Sequence, residues 1–162
     1  MMVTSAEANK IINKLNSEIQ LAKIKENNNT VFRAAVGENV DTLRPDYDFK
    51  ETQKFIDEKE KDICRIKHLL NIFNATTKVT DELTIDQVLI RLPQLNNKKA
   101  KLTSMITKQP KRRVSITGNV IDYEYISYNL DEARKAYDDV VGEINHLQNE
   151  LDTINSTVQF EI

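Results

Sequence analysis

The chain has 162 residues, 40% of them hydrophobic and 30% charged, with three Gly, three Pro, no Trp and a formal net charge of -2. That length suits one ordinary domain, which can bury roughly two-thirds of the surface of its unfolded chain, and the composition predicts a mainly helical protein rather than an all-β one. The charge balance argues against wholesale capture of nucleic acid or of an anionic membrane, a single Cys excludes an intramolecular disulfide framework, and two His give no zinc-ligand spacing.

In chain order, the first element opens with Thr4 and Glu7, three residues apart, the pattern in which two side chains satisfy two orphan helix N–H groups reciprocally. An apolar stripe follows at Ala8, Ile12, Leu15, Ile19 and Ala22. The segment Thr30 to Arg44, TVFRAAVGENVDTLR, places Gly37 at the turn position equivalent to Gly118, but its strands alternate less clearly, which leaves a weaker β-hairpin and a loop both open. A second helix begins at Asp48 and Glu51 and carries Phe49, Thr52, Ile56, Lys59, Ile63, Ile66, Leu70 and Phe73 on one face, with Asn74 predicted to end it. The third helix starts at Thr84 and Gln87 and continues through Val88, Leu92, Leu95, Leu102 and Ile106. Pro93 inside it should produce a kink, or end a first piece near Leu92.

KQPKRRVSITGNVIDYEY, Lys108 to Tyr125, reads as a second hairpin, because Gly118 and Asn119 lie between two alternating runs and Gly supplies the positive φ of a tight turn. Closing it there sets Val114 against Tyr123, Ile116 against Ile121, Arg113 against Glu124 and Arg112 against Tyr125. Val114, Ile116, Ile121 and Tyr123 then form an apolar face, with Arg112 and Tyr125 at its edge, and Arg113 lies on the other face. These seven residues are the candidate interaction surface. The last helix starts at Asn129 and Glu132 and carries Leu130, Ala133, Tyr137, Val140, Ile144, Leu147, Leu151 and Ile154 in unbroken steps of three and four, with Asn155 predicted to end it.

Comparing the chain with itself at a shift of 81 aligns Tyr47–Val79 with Tyr128–Phe160, with eight identities in 33 positions, and also pairs Gly37 with Gly118 and Asp41 with Asp122 outside the helices. The chain therefore reads as one domain, 1–162, made of two pseudo-repeats at about 1–80 and 81–162, each a helix, a hairpin or loop, and a helix. Helices of about 25 residues are on the order of 38 Å long and cannot bury such a stripe alone. The expected fold is an antiparallel bundle of four long helices with coiled-coil-like packing and one or two small β-hairpins.

The sequence pairs no nucleophile with a base, has no Gly-rich phosphate loop and no convergent ligand set, so no catalytic residue, metal site, cofactor or small-molecule substrate is expected. Its start lacks a charged and then apolar leader, and no apolar run approaches the roughly 18 residues of a spanning helix, so the cytoplasm is the expected location. The pattern predicts a non-enzymatic scaffold or adaptor that forms homo-oligomers, with neither nucleic acid nor membrane as a partner. The alternative is an anionic ligand, or nucleic acid, held at the basic hairpin edge.

ICRIKHLLNIFNATTKV, LTIDQVLIRLPQL, the basic lead into VSITGNVIDYEY and the closing INHLQNELDTINSTVQFEI resemble a family of small bacterial proteins, some of whose members carry the name septicolysin. The resemblance covers most of the chain, chiefly from Ile63 onward. Its motifs are helical and hairpin patterns, and it implies no particular site residues. The name implies a membrane-active cytolysin, a further alternative for a chain that lacks both Trp and a spanning segment.

Overall fold

The computed structural model describes residues 1–114 and 121–162. The chain is mainly helical with two small antiparallel two-stranded sheets. Its elements are β1 (Met2–Thr4), α1 (Ser5–Asn29), α2 (Val40–Leu43), α3 (Phe49–Thr76), α4 (Ile85–Ile106), β2 (Lys111–Val114), β3 (Asp122–Tyr125), α5 (Leu130–Thr157) and β4 (Gln159–Glu161). It divides into two compact units, one formed by Met1–Phe73 with Asn155–Ile162, the other by Asn74–Ile154.

All four long helices start where their capping residues predict. Thr4 N–H donates to Glu7 Oε2 at 2.8 Å while Glu7 N–H donates to Thr4 Oγ1 at 3.2 Å. Glu51 N–H donates to Asp48 Oδ1 at 2.9 Å, Thr84 N–H to Gln87 Oε1 at 2.9 Å, and Asp131 N–H to Asn129 Oδ1 at 2.9 Å. These bonds satisfy N–H groups that a helix cannot pair internally.

In the first unit α1 and α3 run antiparallel. Glu18 meets Lys59 at 2.7 Å, Lys23 meets Glu60 at 3.6 Å, and Gln53 donates to Glu26 at 2.7 Å. Between them lies a core of Val3, Ala8, Ile12, Ile19, Ile56, Ile63 and Ile66. Lys59 interrupts the apolar stripe of α3, and the Glu18 carboxylate answers it; the hydrogen bond from Lys59 holds the Glu18 carboxyl below its usual range. In the second unit α4 and α5 also run antiparallel, with Arg91 bonded to Glu143 at 2.9 Å. Val88, Leu95 and Leu102 on α4 are buried, as are Val140, Ile144, Leu147 and Leu151 on α5. Val140 stands one 81-residue step from Lys59, so the polar break of one unit is apolar in the other.

Several devices recur at that spacing. In the first unit β1 pairs with β4, Val3 opposite Phe160 and Thr4 opposite Gln159. In the second, Lys78 bridges to Thr84, Val79 N–H donates to Leu83 O at 2.8 Å, and Val79 is buried. Each pairing holds the Thr that caps the following helix. Phe73 stacks on Phe160 with ring centroids 4.6 Å apart, attaching β4 to the end of α3. The Tyr47 hydroxyl donates to Glu26 Oε1 at 2.6 Å and the Tyr128 hydroxyl to Met105 O at 2.6 Å, so each tyrosine returns the chain to the end of the preceding long helix.

Two alternatives that the sequence leaves open are decided, and two expectations, at Asn74 and Asn155, are corrected. Residues 30–44 form no hairpin: Glu38 N–H closes a turn onto Ala35 O at 3.1 Å with Gly37 at φ 94°, and Asn39 caps the short α2, its Oδ1 accepting from Asp41 N–H at 3.0 Å. These local bonds occupy backbone groups that a ladder would need. Of the two outcomes expected at Pro93, an end near Leu92 is ruled out, since α4 continues to Ile106. Pro93 lies on its exposed side, where the carbonyl of exposed Leu89, deprived of its helical donor, can be reached by water. Asn74 and Asn155 do not end α3 and α5, which continue to Thr76 and Thr157; no non-Gly residue described has positive φ.

Two outcomes test this packing. Ile66 and Leu147 are 3% and 4% exposed at equivalent positions of α3 and α5, and Ile66→Ala and Leu147→Ala should each cost about 2–5 kcal/mol in urea unfolding. The Tyr47 hydroxyl, held neutral chiefly by its hydrogen bond to Glu26, has its pKa pushed up to about 12. Its contribution to stability is therefore present below the ordinary tyrosine pKa of about 10 and lost as pH rises through 12. Spectrophotometric titration should lose its highest-pH phenolate step in Tyr47→Phe.

Candidate functional site

The ribbon of β2 and β3 stands between α4 and α5 in the sequence. Its register is Lys111 with Tyr125, Arg112 with Glu124, Arg113 with Tyr123, and Val114 with Asp122. This is one residue away from the pairing that a turn closed at Gly118 and Asn119 predicts. Because side chains alternate between faces, the slip moves every partner to the opposite face.

Lys111, Arg113, Tyr123 and Tyr125 share one face, while Arg112, Val114, Asp122 and Glu124 share the other. Val114 therefore does not join Tyr123 in an apolar face, and Arg113 does not pair with Glu124. The side chains of each face meet across this register. Arg112 Nε and Nη2 both donate to Glu124 Oε2, at 3.2 and 2.8 Å. Lys111 Nζ lies 4.1 Å from the Tyr123 ring centroid and 5.5 Å from that of Tyr125, and ammonium above a ring face is attracted by its quadrupole. Ile126 N–H donates to Pro110 O at 3.3 Å and closes the base of the ribbon.

Of the seven predicted surface residues, Arg112, Arg113, Val114, Tyr123 and Tyr125 thus lie together on the ribbon. Ile121 precedes β3 and is 55% exposed. Ile116 and the Gly118 and Asn119 turn lie outside the described residues. Arg113 has no ion-pair partner among the described residues.

At the base of the ribbon is an open pocket of about 710 Å³, lined by Thr107, Lys108, Gln109, Arg112, Glu124, Tyr125, Ile126, Ser127 and Tyr128. Sequence reasoning missed its second wall, Ile126 to Tyr128, because those residues lie beyond the alternating run and are placed by the Tyr128 bond to Met105 O. The pocket combines one cation, Lys108, that has no acidic partner among the described residues with Arg112, already engaged by Glu124. Such a surface can hold an anionic or aromatic group by charge and stacking. Among the described residues it presents no paired nucleophile and base.

Elsewhere, Cys64 and His68 are exposed on α3 and His146 on α5, with no hydrogen bond between any two of them among the described residues. No group of three or more metal-ligating side chains occurs among the described residues. No described helix is long and apolar enough to cross a membrane.

No family model matches the chain, and no curated protein is significantly similar to it. Among solved structures, the chain is similar to a functionally unknown conserved protein from Corynebacterium diphtheriae, with a TM-score of 0.62 and 15% identity, covering 99% of this chain and 100% of that one. At that identity the likeness concerns the fold alone.

The Arg112 and Glu124 side chains are 65% and 59% exposed, so solvent screens their ion pair. A double-mutant cycle of Arg112→Ala and Glu124→Ala should give a coupling below about 1 kcal/mol.

Proposed function

We propose that the chain is a non-enzymatic, cytoplasmic helical scaffold that assembles with copies of itself. The observation that carries this reading is the distribution of uncovered apolar side chains. Most of the stripes of α3 and α5 is consumed inside the units, where Ile56, Ile63, Val140 and Ile144 are buried, while Phe49 at the start of α3 stays exposed. The buried part is therefore not the surface offered to another subunit. Uncovered apolar groups lie on helices, at Leu21, Ile24, Phe49 and Ile90, and on the connecting segments, where Val31, Val36, Val40 and Leu43 are 80%, 107%, 48% and 43% exposed and Tyr123 and Tyr125 are 45% and 66% exposed. Apolar side chains exposed in this way favour a covering partner. The cytoplasmic placement rests on the sequence pattern.

A second reading, binding of an anionic ligand, is supported by the pocket at Lys108, Arg112, Tyr125 and Tyr128. Membrane lysis, implied by the septicolysin resemblance, has the exposed Ile121, Tyr123 and Tyr125 as its support and comes third.

Light scattering across a range of concentrations tests the first reading. The expected outcome is a mass above the 18.7 kDa of one chain that rises with concentration. A monomer at every concentration rejects self-assembly as the function.

A further inference from the structure

The two segments that join the long helices are equivalent in position and opposite in charge. Residues 30–48, between α1 and α3, carry Arg33 and Arg44 against Glu38, Asp41, Asp46 and Asp48, a formal charge of -2. Residues 107–129, between α4 and α5, carry Lys108, Lys111, Arg112 and Arg113 against Asp122 and Glu124, a formal charge of +2. Part of each set is spent locally, Arg44 on Asp41 at 3.4 Å and Arg112 on Glu124 at 2.8 Å. What is left is an acidic surplus on the first segment and a basic one on the second.

Both segments also expose apolar groups. Every residue from Val31 to Arg44 is exposed. On the ribbon Ile121, Tyr123 and Tyr125 are exposed, the two rings lying on the same face as Lys111 and Arg113. Each surface thus offers what the other lacks in charge, together with apolar area to bury.

Resting on the scaffold reading, we propose that the basic, tyrosine-bearing ribbon of one copy docks on the acidic, valine-bearing 30–48 segment of a second copy. Complementary charge sets the orientation and encounter rate, and burial of Val36, Val40, Tyr123 and Tyr125 holds the contact. The contact joins two different patches, and each copy carries one of each kind, so assembly repeats a single ribbon-to-segment contact whose rotation decides whether it closes. It weakens with salt, because the screening length falls from about 10 Å at 0.1 M to about 3 Å at 1 M.

The test uses the full chain in three forms by analytical ultracentrifugation, with circular dichroism confirming helix content. Lys111→Glu with Arg113→Glu reverses the ribbon without touching the Arg112 and Glu124 pair. Asp41→Lys with Asp46→Lys reverses the acidic segment. Wild-type protein should associate with rising concentration at low salt, each double variant alone should sediment as a monomer, and an equimolar mixture of the two should associate again, because the intact ribbon of one variant meets the intact acidic segment of the other. Oligomers unchanged in both variants overturn this docking mode while leaving self-assembly standing. A wild-type monomer at every concentration rejects the scaffold reading and this inference with it. A monomer that instead binds anionic vesicles or a polynucleotide, and loses that binding in the ribbon variant, overturns the inference in favour of a foreign partner.

Discussion

The structure depends on burial of an apolar stripe along rods too long to bury it by themselves. A 28-residue helix such as α3 or α5 presents that stripe over on the order of 40 Å, and each buried Leu or Ile contributes roughly 1.5–3 kcal/mol relative to exposure. An antiparallel neighbour is the shortest way to cover it, and α1 serves α3 in this role. At Lys59 the apolar surface is interrupted, and Glu18 on the facing helix satisfies the charge. The second unit needs no such arrangement, because Val140 occupies the equivalent place.

The helix pairs must also be held in register at their ends, and a small number of polar groups do this. Thr4 and Thr84 each serve twice, as the cap of a long helix and as a partner in a β-pairing. Tying the cap to a strand fixes the direction in which the helix leaves. Tyr47 and Tyr128 act at the connections, where their hydroxyls reach back to the preceding helix. One polar group lacks such a partner: the Ser5 hydroxyl is buried and unbonded among the described residues, at the first position of α1, where the first position of α4 is the buried Ile85. Burying an unpaired hydroxyl is unfavourable, and nothing in the structure offsets it.

With the helices committed to the core, the connecting segments are free to diverge. In one unit the connection is an irregular acidic loop with a single helical turn, and in the other it is a basic ribbon bearing two exposed tyrosines. The same framework thus carries two chemically different surfaces. The candidate site was legible in part. Lys108, Arg112, Arg113, Tyr123 and Tyr125 are visible as basic and aromatic residues flanking a Gly-Asn turn signal, but their arrangement into faces was not. Alternation tolerates two registers one residue apart, and both set an Arg opposite Glu124, Arg113 in the expected one and Arg112 in the observed one, so these residues alone do not choose.

Short-range physics was readable from the residues alone. Capping bonds and apolar periods act within one or two helical turns, so Thr4, Asp48, Thr84 and Asn129 mark the helix starts and the buried faces of α1, α3, α4 and α5 follow from spacing. The ends of α3 and α5 were less readable, because Asn at 74 and 155 can adopt a left-handed conformation yet nothing local compels it, and the chain continues helically to Thr76 and Thr157. The strands β1 and β4 were not foreseen at all. Three residues each are too few to show a period, and their partners lie at opposite ends of the sequence. The sequence by itself determined the helices, their starts and the faces they bury, since those depend on residues three or four positions apart; only the tertiary structure decided the strand pairings, the ribbon register and which apolar groups stay uncovered, since each depends on groups that the fold brings together.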